Sequence, residues 1–427
     1  MARWLSARAT RRGRSGQHAW SATANATDAA PALWVVCAIL LAVFLTQNMF
    51  LVLLPISLTA SGLATGTIVG LLVAASEGLG ILLTPPAASY GDQHGHGRVL
   101  KVGGLVTALG ALGLAFAAVS HSIWLWVAPV FAYALARTPI MVSALTIVNG
   151  MPQPLRIQGI NGAVQRAAAI LGALLAALLI AWGKWHWGFG SLTLIAIALY
   201  AFARKIPTSN TATRWQRPRH SYAASLQLLR TQRALQASSM VNLTNRAVIV
   251  LGNAFFPLSV GVGNTDLAKW VLLFLASRDL TSVACGFTFR PLVERFGLRG
   301  AHALMTASSV SGLLVIGLTT TTVFTVTLGA ALQGVSVFIA IGSANLLATL
   351  GGRADGRALR LTSTFYVVSV ASLAFPAAFG TVLDTWGGPA VFVAGAGFVA
   401  VTMTLVILMI DRRSATTLIP GDGSPDE

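Results

Sequence analysis

The sequence has few charged residues, very few acids and only two cysteines. Charged residues make up 10% of the 427 positions, and 12 acids stand against 29 lysines and arginines. Cys37 and Cys285 both lie within long apolar runs, so neither a disulfide framework nor a paired metal motif is indicated. The chain also lacks a Gly-x-x-x-x-Gly-Lys-Ser/Thr loop for nucleotide hydrolysis. We therefore expect no enzyme, no metal and no cofactor.

The sequence is instead rich in apolar residues. They make up 55% of the chain, whose mean hydropathy is +0.74. A soluble core could not absorb so many apolar side chains, so the solvent must be a bilayer, in which only helices satisfy their own backbone groups. Runs of about 20 residues are long enough to cross it. The sequence predicts an all-α membrane protein with twelve spans, at 31–59, 66–89, 99–120, 123–148, 159–182, 187–203, 238–260, 267–289, 301–319, 323–350, 359–382 and 391–410.

The formal charge of +17 is unevenly placed. Lysines and arginines gather before span 1, after span 2, in the middle loop, between spans 8 and 9, between spans 10 and 11, and after span 12. The alternate loops carry only Lys184 and Lys269. This is the positive-inside pattern, which predicts an inner-membrane protein with both termini in the cytoplasm. Because no basic module is interleaved with aromatic residues, nucleic acid is not an expected partner.

A polar stretch divides the chain into two similar halves. We predict a basic cytoplasmic tail at 1–30, a first six-helix bundle at 31–203, a linker at 204–237, a second bundle at 238–410 and a cytoplasmic tail at 411–427. The leucines and arginines of 226–235 could form a short amphipathic helix on the inner surface, or an early start to span 7.

One loop pattern occurs twice. The first copy holds Asp92, Gly95 and Arg98 between spans 2 and 3, and the second holds Glu294, Arg295, Gly297 and Arg299 between spans 8 and 9. The two acids are 294 − 92 = 202 positions apart, close to half the chain. The spacing resembles the loops between spans 2 and 3 and between spans 8 and 9 of major facilitator superfamily transporters. That resemblance implies two related six-helix bundles.

In that family the repeated loop latches the two halves in the outward-facing state. By resemblance, these seven residues form two conformational latches. The second copy matches the family pattern well. The first departs from it, because Ala88 stands where the family has Gly and Gln93 where it has a basic residue. The alternative is that both loops only set topology through their charge.

Span 4 contains Arg137 in Leu-Ala-Arg-Thr-Pro, which resembles the family's span-4 motif associated with proton coupling. The Gln-Gly that follows the Arg in the family is missing here, so the resemblance extends to Arg137 alone. An Arg in mid-membrane costs about 2.5–3.5 kcal/mol on insertion scales, so it should face the bundle interior and a partner. The available acid is Glu77 in span 2. We predict that the two residues lie close together. They could form a fixed ion pair, or Glu77 could take up and release a proton beside Arg137.

Span 5 carries Gly159, Gly162 and Gly172, followed by Ala173. It partly resembles the Gly-rich span 5 of the family's antiporters, where a Pro takes the place of Ala173. The resemblance favours export, although small residues for close helix packing explain the glycines equally well. Arg166 in the same span lies nearer the cytoplasm and could extend its long side chain in that direction.

Several other polar residues lie in the spans. Asp279 in span 8 is a second candidate proton carrier. Candidates for a substrate cavity are Gln47, Asn48, Arg166, Arg246, Arg278 and Gln333. The neighbours Arg278 and Asp279 point about 100° apart on a helix and so need not pair with each other. Each amide could equally hold helices together. Four in-span arginines against two acids leave a surplus of two positive charges, which favours an anion.

The sequence thus predicts a monomeric secondary transporter that exports a small organic molecule in exchange for protons. An organic anion is favoured as its substrate. A proton symporter that imports an organic anion is the first alternative. A non-transporting membrane receptor or assembly factor on the same fold is the second, and the charged residues inside the spans count against it.

Overall fold

The computed structural model describes residues 33–120, 122–151, 154–206, 218–261, 264–285, 288–349 and 357–410. The predicted tails at 1–30 and 411–427, and the part of the linker at 207–217, lie outside these residues. The described part is helical and contains no β-strand.

The helices follow one another as consecutive membrane spans. Spans 1 to 6 are Leu33–Ala60; Gly66–Gly78 continued by the 3₁₀ turn Leu79–Leu82 and by Thr84–His94; His96–Ala117; Trp124–Gly150; Pro154–Trp182; and Trp185–Ala203. The linker helix is Pro218–Thr231. Spans 7 and 8 are Arg233–Val250, continued by the π-helical turn Leu251–Phe255 and by Phe256–Val260, and Leu267–Cys285. Span 9 is the part of Phe289–Leu318 that follows a turn at Gly297, and span 10 is Val323–Thr349. The helix Phe375–Met409 turns at Gly387: span 11 is Arg357–Ser372 with the part before this turn, and span 12 is the part after it.

Nine helices in the described residues are long and apolar enough to cross a membrane, or ten with the bent span 2. One of these, Arg360–Met409, is 50 residues long and turns at Gly387, so it contains two spans. The helix Leu267–Cys285 contains Lys269 and the neighbours Arg278 and Asp279, which lower its hydropathy. The ten helices, the additional span in Arg360–Met409 and the helix Leu267–Cys285 together give the twelve spans that the sequence predicts.

Glycines with positive φ mark the same turns in both halves. Six described glycines have this conformation. They form three pairs at corresponding loops, with separations of 261 − 62 = 199, 297 − 95 = 202 and 387 − 183 = 204 residues. A side chain would be strained in this region of φ, so glycine is the residue that such turns favour. The repeat first seen at one loop therefore extends to three pairs of turns in the described residues.

Span 2 is broken where it meets two prolines. Pro85 and Pro86 have no N–H, so the carbonyls of Ile81 and Leu82 lose their helical partners. The chain tightens into the 3₁₀ turn and bends by 45°. The hydroxyl of Tyr222 in the linker helix donates to the freed Leu82 carbonyl. The linker thus forms a helix of its own. Gln232, which has an extended conformation, separates it from span 7.

The two bundles meet along spans 2 and 11, spans 5 and 8, and spans 1 and 7. Spans 3, 6 and 12 instead present large exposed apolar side chains, as expected where helices face lipid. These include Leu105, Leu109, Phe116, Leu194, Ile197, Leu405 and Leu408. Glu77, Arg166, Arg246 and Asp279, which the sequence singles out, lie in spans that form this contact between the bundles.

Candidate functional site

A cavity of about 120 Å³ lies between the bundles. For scale, an apolar cavity of about 150 Å³ holds one benzene molecule. Its polar wall is formed by Gln47, Asn48, Glu77, Arg137, Thr138, Gln165, Arg166, Asn242, Asn245, Arg246, Arg278 and Ser369, and its apolar wall includes Phe44, Met141, Leu145, Ile249, Ile341 and Phe365. Both bundles contribute to each wall, so a movement of one bundle against the other would reshape the cavity.

Glu77 joins the bundles at one side of this cavity. Its Oε1 lies 2.8 Å from Nη1 of Arg137, so the contact expected from the sequence is present. The same Arg137 nitrogen also donates to the Ser76 carbonyl at 3.1 Å. Both oxygens of Glu77 accept in addition from Arg246 of span 7, which belongs to the other bundle. One buried carboxylate is therefore shared by two guanidiniums.

The amide of Gln47 completes this group. With its oxygen turned toward the guanidinium, it accepts from Arg246. The opposite orientation would set donors against donors, because Arg has no acceptor atom. Spans 1 and 2 thus hold Arg246 from two directions.

Asp279 is a second buried carboxylate that is shared by two guanidiniums, and none of its surface is exposed. Its Oδ1 accepts from Nη1 of Arg166 in the other bundle at 3.2 Å, and its Oδ2 accepts from Nη2 of Arg278 at 3.0 Å. Arg278 also donates to Asn253 at 2.7 Å, and Asn253 donates to Asn48 of span 1 at 3.3 Å. Asn253 lies in the π-helical turn that precedes Pro257, and π-turns often occur at functional positions.

The two acids occupy equivalent positions of the repeat. Their separation is 279 − 77 = 202, the same as the separation of the loop acids Asp92 and Glu294. Each acid is bound by an Arg of its own bundle and by an Arg of the other bundle. The equal spacing is visible in the sequence and could have identified this symmetry.

Two expectations from the sequence need correction. Arg166 does not extend toward the cytoplasm, because its guanidinium is buried against Asp279, which offers a charged partner inside the protein. Gln333 is fully buried, but it packs against the span containing Gly312, 3.2 Å from where a Cβ of that glycine would lie, and is not among the described residues of the cavity wall. In addition, the neighbours Arg278 and Asp279 do pair with each other.

The repeated loops adopt the same turn in both halves, since Gly95 has φ 90° and Gly297 has φ 67°. Asp92 contacts His96 of its own loop at 3.1 Å. Arg299 donates to the carbonyl of Ile407 in span 12 at 3.1 Å, and Arg295 lies over the neighbouring Phe296 ring. These contacts stay within a bundle, and the proposed action of the loops as latches stays a prediction.

Sequence reasoning missed two pairings and three residues here. It did not foresee that Arg246 binds Glu77, that Asn253 binds Arg278, or that Phe44 and Phe365 line the cavity. It also left out Asp384, whose carboxylate joins spans 11 and 2. Hydropathy could not single out the aromatic residues, because every span contains similar side chains.

Solved structures with the same fold are transporters. The nucleoside transporter NupG has a TM-score of 0.69 and 12% identity, over 88% of this chain and 98% of that one. The human organic anion transporter MFSD10 has a TM-score of 0.62 and 15% identity, over 88% and 98%. A POT family transporter in complex with 5-aminolevulinic acid has a TM-score of 0.67 and 11% identity, over 88% and 96%. At these identities the likeness establishes the fold alone.

Sequence comparisons give the family. No curated protein matches the sequence significantly. The sequence profile of the Major Facilitator Superfamily matches residues 36–277, which is more than half of the 427 residues. Together with the two bundles and the repeated turns, this match establishes that the chain is a multi-pass membrane protein of the major facilitator superfamily.

Proposed function

We propose that this protein is a proton-coupled secondary transporter that moves a small organic anion through the central cavity by alternating access. The observation that carries the proposal is the pair of equivalent buried acids, each bound by arginines from both bundles. Protonation of either acid would weaken bonds that cross between the bundles. A proton could therefore control whether the bundles separate.

The charge of the cavity supports an anionic substrate. Arg137, Arg166, Arg246 and Arg278 surround Glu77 and Asp279, which leaves a surplus of two positive charges. Guanidiniums bind carboxylates and phosphates through paired hydrogen bonds.

The shared Arg246 favours symport of anion and proton. An anion that binds Arg246 competes with Glu77 for the guanidinium, and its negative charge raises the proton affinity of that carboxyl. Anion binding and protonation then assist each other, so both would cross the membrane together. The geometry thus favours the import of an organic anion with protons.

Proton-driven export is the second candidate. The glycines of span 5 favour it through their partial resemblance to antiporters. Gly172 packs against Asn48 of span 1, since a Cβ on it would lie 3.2 Å from the Asn48 Cβ. For export, substrate and proton must exclude each other, which requires a substrate that lowers the proton affinity of Glu77 or Asp279.

Counterflow in proteoliposomes tests the proposal. Vesicles loaded with an unlabelled compound are mixed with the same labelled compound, using a panel of mono- and dicarboxylates, organic phosphates and drug-like cations. We expect counterflow with carboxylates or organic phosphates and none with cations. A proton gradient directed into the vesicle should then drive accumulation of the transported anion.

The other outcomes separate the alternatives. Accumulation driven by a proton gradient directed out of the vesicle would establish exchange and support export. Counterflow of cations alone would contradict the anionic cavity. Absence of counterflow with every class of compound would favour a non-transporting receptor or assembly factor.

The orientation is part of the proposal. We propose that both termini and the linker helix lie in the cytoplasm and that the membrane is the inner membrane, because the basic loops follow the positive-inside pattern. The outer face then carries the turns after spans 1, 3 and 5. A reporter fused after Lys205 should read as cytoplasmic, and a reporter inserted after Lys184 as extracytoplasmic. The reverse readout would overturn the orientation.

We also propose that the repeated loops act as latches on the cytoplasmic face. Asp92→Asn removes the acid that contacts His96, and Glu294→Gln removes the equivalent acid of the second bundle. Each change should slow counterflow severalfold while the protein remains inserted and folded, since exposed ionic contacts contribute only about 0–1 kcal/mol to stability. Asp266→Asn, at an acid on the outer face, is the control. Normal rates in both loop variants would mean that the loops only set topology.

A further inference from the structure

Asp384 at the outer end of span 11 holds the first turn of span 2 in the other bundle. Its Oδ1 accepts from the Gly66 N–H at 2.7 Å, and its Oδ2 accepts from the Thr67 N–H at 2.7 Å and from the Thr67 hydroxyl at 2.6 Å. The first backbone N–H groups of a helix have no partner within the helix. A carboxylate from one bundle thus supplies acceptors that a helix of the other bundle lacks.

The electrostatics of this contact suit an ionised acid. Negative charge is stabilised at a helix N-terminus by the aligned peptide dipoles. Burial by itself would raise the pKa of the Asp384 carboxyl, but the hydrogen bonds from Thr67 and Gly66 outweigh it and hold the pKa below its ordinary value. The carboxyl is therefore charged at neutral pH.

Glycines bring the two helices into backbone contact beneath Asp384. A Cβ at Gly66 would lie 2.7 Å from Asp384 Oδ1, and a Cβ at Gly380 would lie 2.2 Å from the Gly66 carbonyl oxygen. One turn deeper, a Cβ at Gly70 would lie 2.4 Å from the carbonyl oxygen of Pro376. This contact leaves no space between spans 2 and 11, so the outer end of the cavity cannot open here while the contact persists.

We infer that Asp384 is the clasp that keeps the outer face of the transporter closed. The inference rests on the proposed alternating access, in which the outer ends of the bundles must separate once in each cycle. Separation breaks three hydrogen bonds to one carboxylate together. Asp384 therefore favours the state that is closed to the outside and sets how often the outer face opens.

The opposite end of span 2 shows why this clasp is distinct from the loop latches. Asp92, at the cytoplasmic end, contacts His96 within its own bundle. Asp384 instead bonds residues 317 and 318 positions away, in the other bundle. Among the described residues, the carboxylate of Asp384 bridges spans 2 and 11 at their outer end.

Thiol labelling tests the clasp. Cys37 and Cys285 are replaced by Ser, and Ala377→Cys supplies one reporter that faces span 2, since a Cβ on Gly70 would lie 3.1 Å from the Ala377 Cα. Labelling by a bulky charged maleimide is timed in lipid nanodiscs. Asp384→Asn keeps the size of the side chain but sets an N–H₂ group against N–H donors. We expect it to raise the labelling rate about tenfold.

Two further variants complete the test. Asp266→Asn removes a similar charge on the same face, but its partner Lys269 at 4.0 Å lies in the same helix turn, so the labelling rate should not change. Thr67→Val removes one of the three hydrogen bonds and should give a smaller rise than Asp384→Asn. An unchanged rate in both Asp384→Asn and Thr67→Val would overturn the clasp. Labelling requires neither substrate nor proton gradient, so this result is separate from the outcome of counterflow.

Discussion

Glu77→Gln is expected to abolish accumulation driven by a proton gradient while exchange at equal pH continues. Glutamine cannot bind or release a proton in this range, yet its amide oxygen can still accept from Arg137 or Arg246. Exchange of labelled for unlabelled substrate needs no net proton movement, so it requires only that the bundles keep moving. Accumulation against a gradient requires the proton and should fall to the level of vesicles without a pH difference.

Both activities are measured in the same proteoliposomes. Asp266→Asn removes an acid that lies outside the cavity and should leave accumulation and exchange unchanged. Arg137→Ala should impair both, because it removes a cation of the cavity and the partner of Glu77. If Glu77→Gln accumulates substrate as well as the parent protein, Glu77 is not the proton carrier. Asp279, in the equivalent position of the second bundle, would then take its place.

Asp279→Asn is expected to cause the largest loss of stability of any single neutralisation in the chain. Asp279 is fully buried and accepts from both Arg166 and Arg278. Asparagine leaves these two guanidiniums without a negative partner inside the protein. Removing one member of a buried ion pair typically costs about 3–5 kcal/mol. The midpoint of thermal unfolding in detergent, followed by the fluorescence of the 11 tryptophans, should fall clearly.

A double variant separates loss of the ion pairs from loss of packing. Asp279→Asn combined with Arg166→Gln removes one of the two stranded charges. Its unfolding midpoint should therefore be higher than the sum of the single effects predicts, because contacting residues do not act additively. Additive effects would mean that the bond between Arg166 and Asp279 does not contribute. A midpoint for Asp279→Asn equal to that of the parent would contradict the prediction outright.

Local features of the sequence predicted the architecture well. Apolar runs indicated the spans, and the loop glycines Gly95 and Gly297 indicated the repeat. Broken spans were harder to foresee, because the break of span 2 at Pro85 and Pro86 depends on a partner for the freed carbonyl, which Tyr222 supplies from the linker. The linker helix itself was one of two readings that the sequence left open. The structure contains parts of both: Pro218–Thr231 is a helix of its own, and after the extended Gln232 the helix of span 7 begins at Arg233, before the predicted position 238.

The sequence by itself determined that this is an integral membrane protein, that its two halves have related sequences, and that a few charged residues lie inside the spans. These are local properties, because hydropathy, turn glycines and the cost of a buried charge are read along a single stretch of chain. Only the tertiary structure decided which charges meet. Arg246 binds Glu77 across 169 residues, and Asp384 binds Gly66 across 318. Such pairs depend on how each helix is rotated and how the bundles pack, and neither property is encoded in any one span.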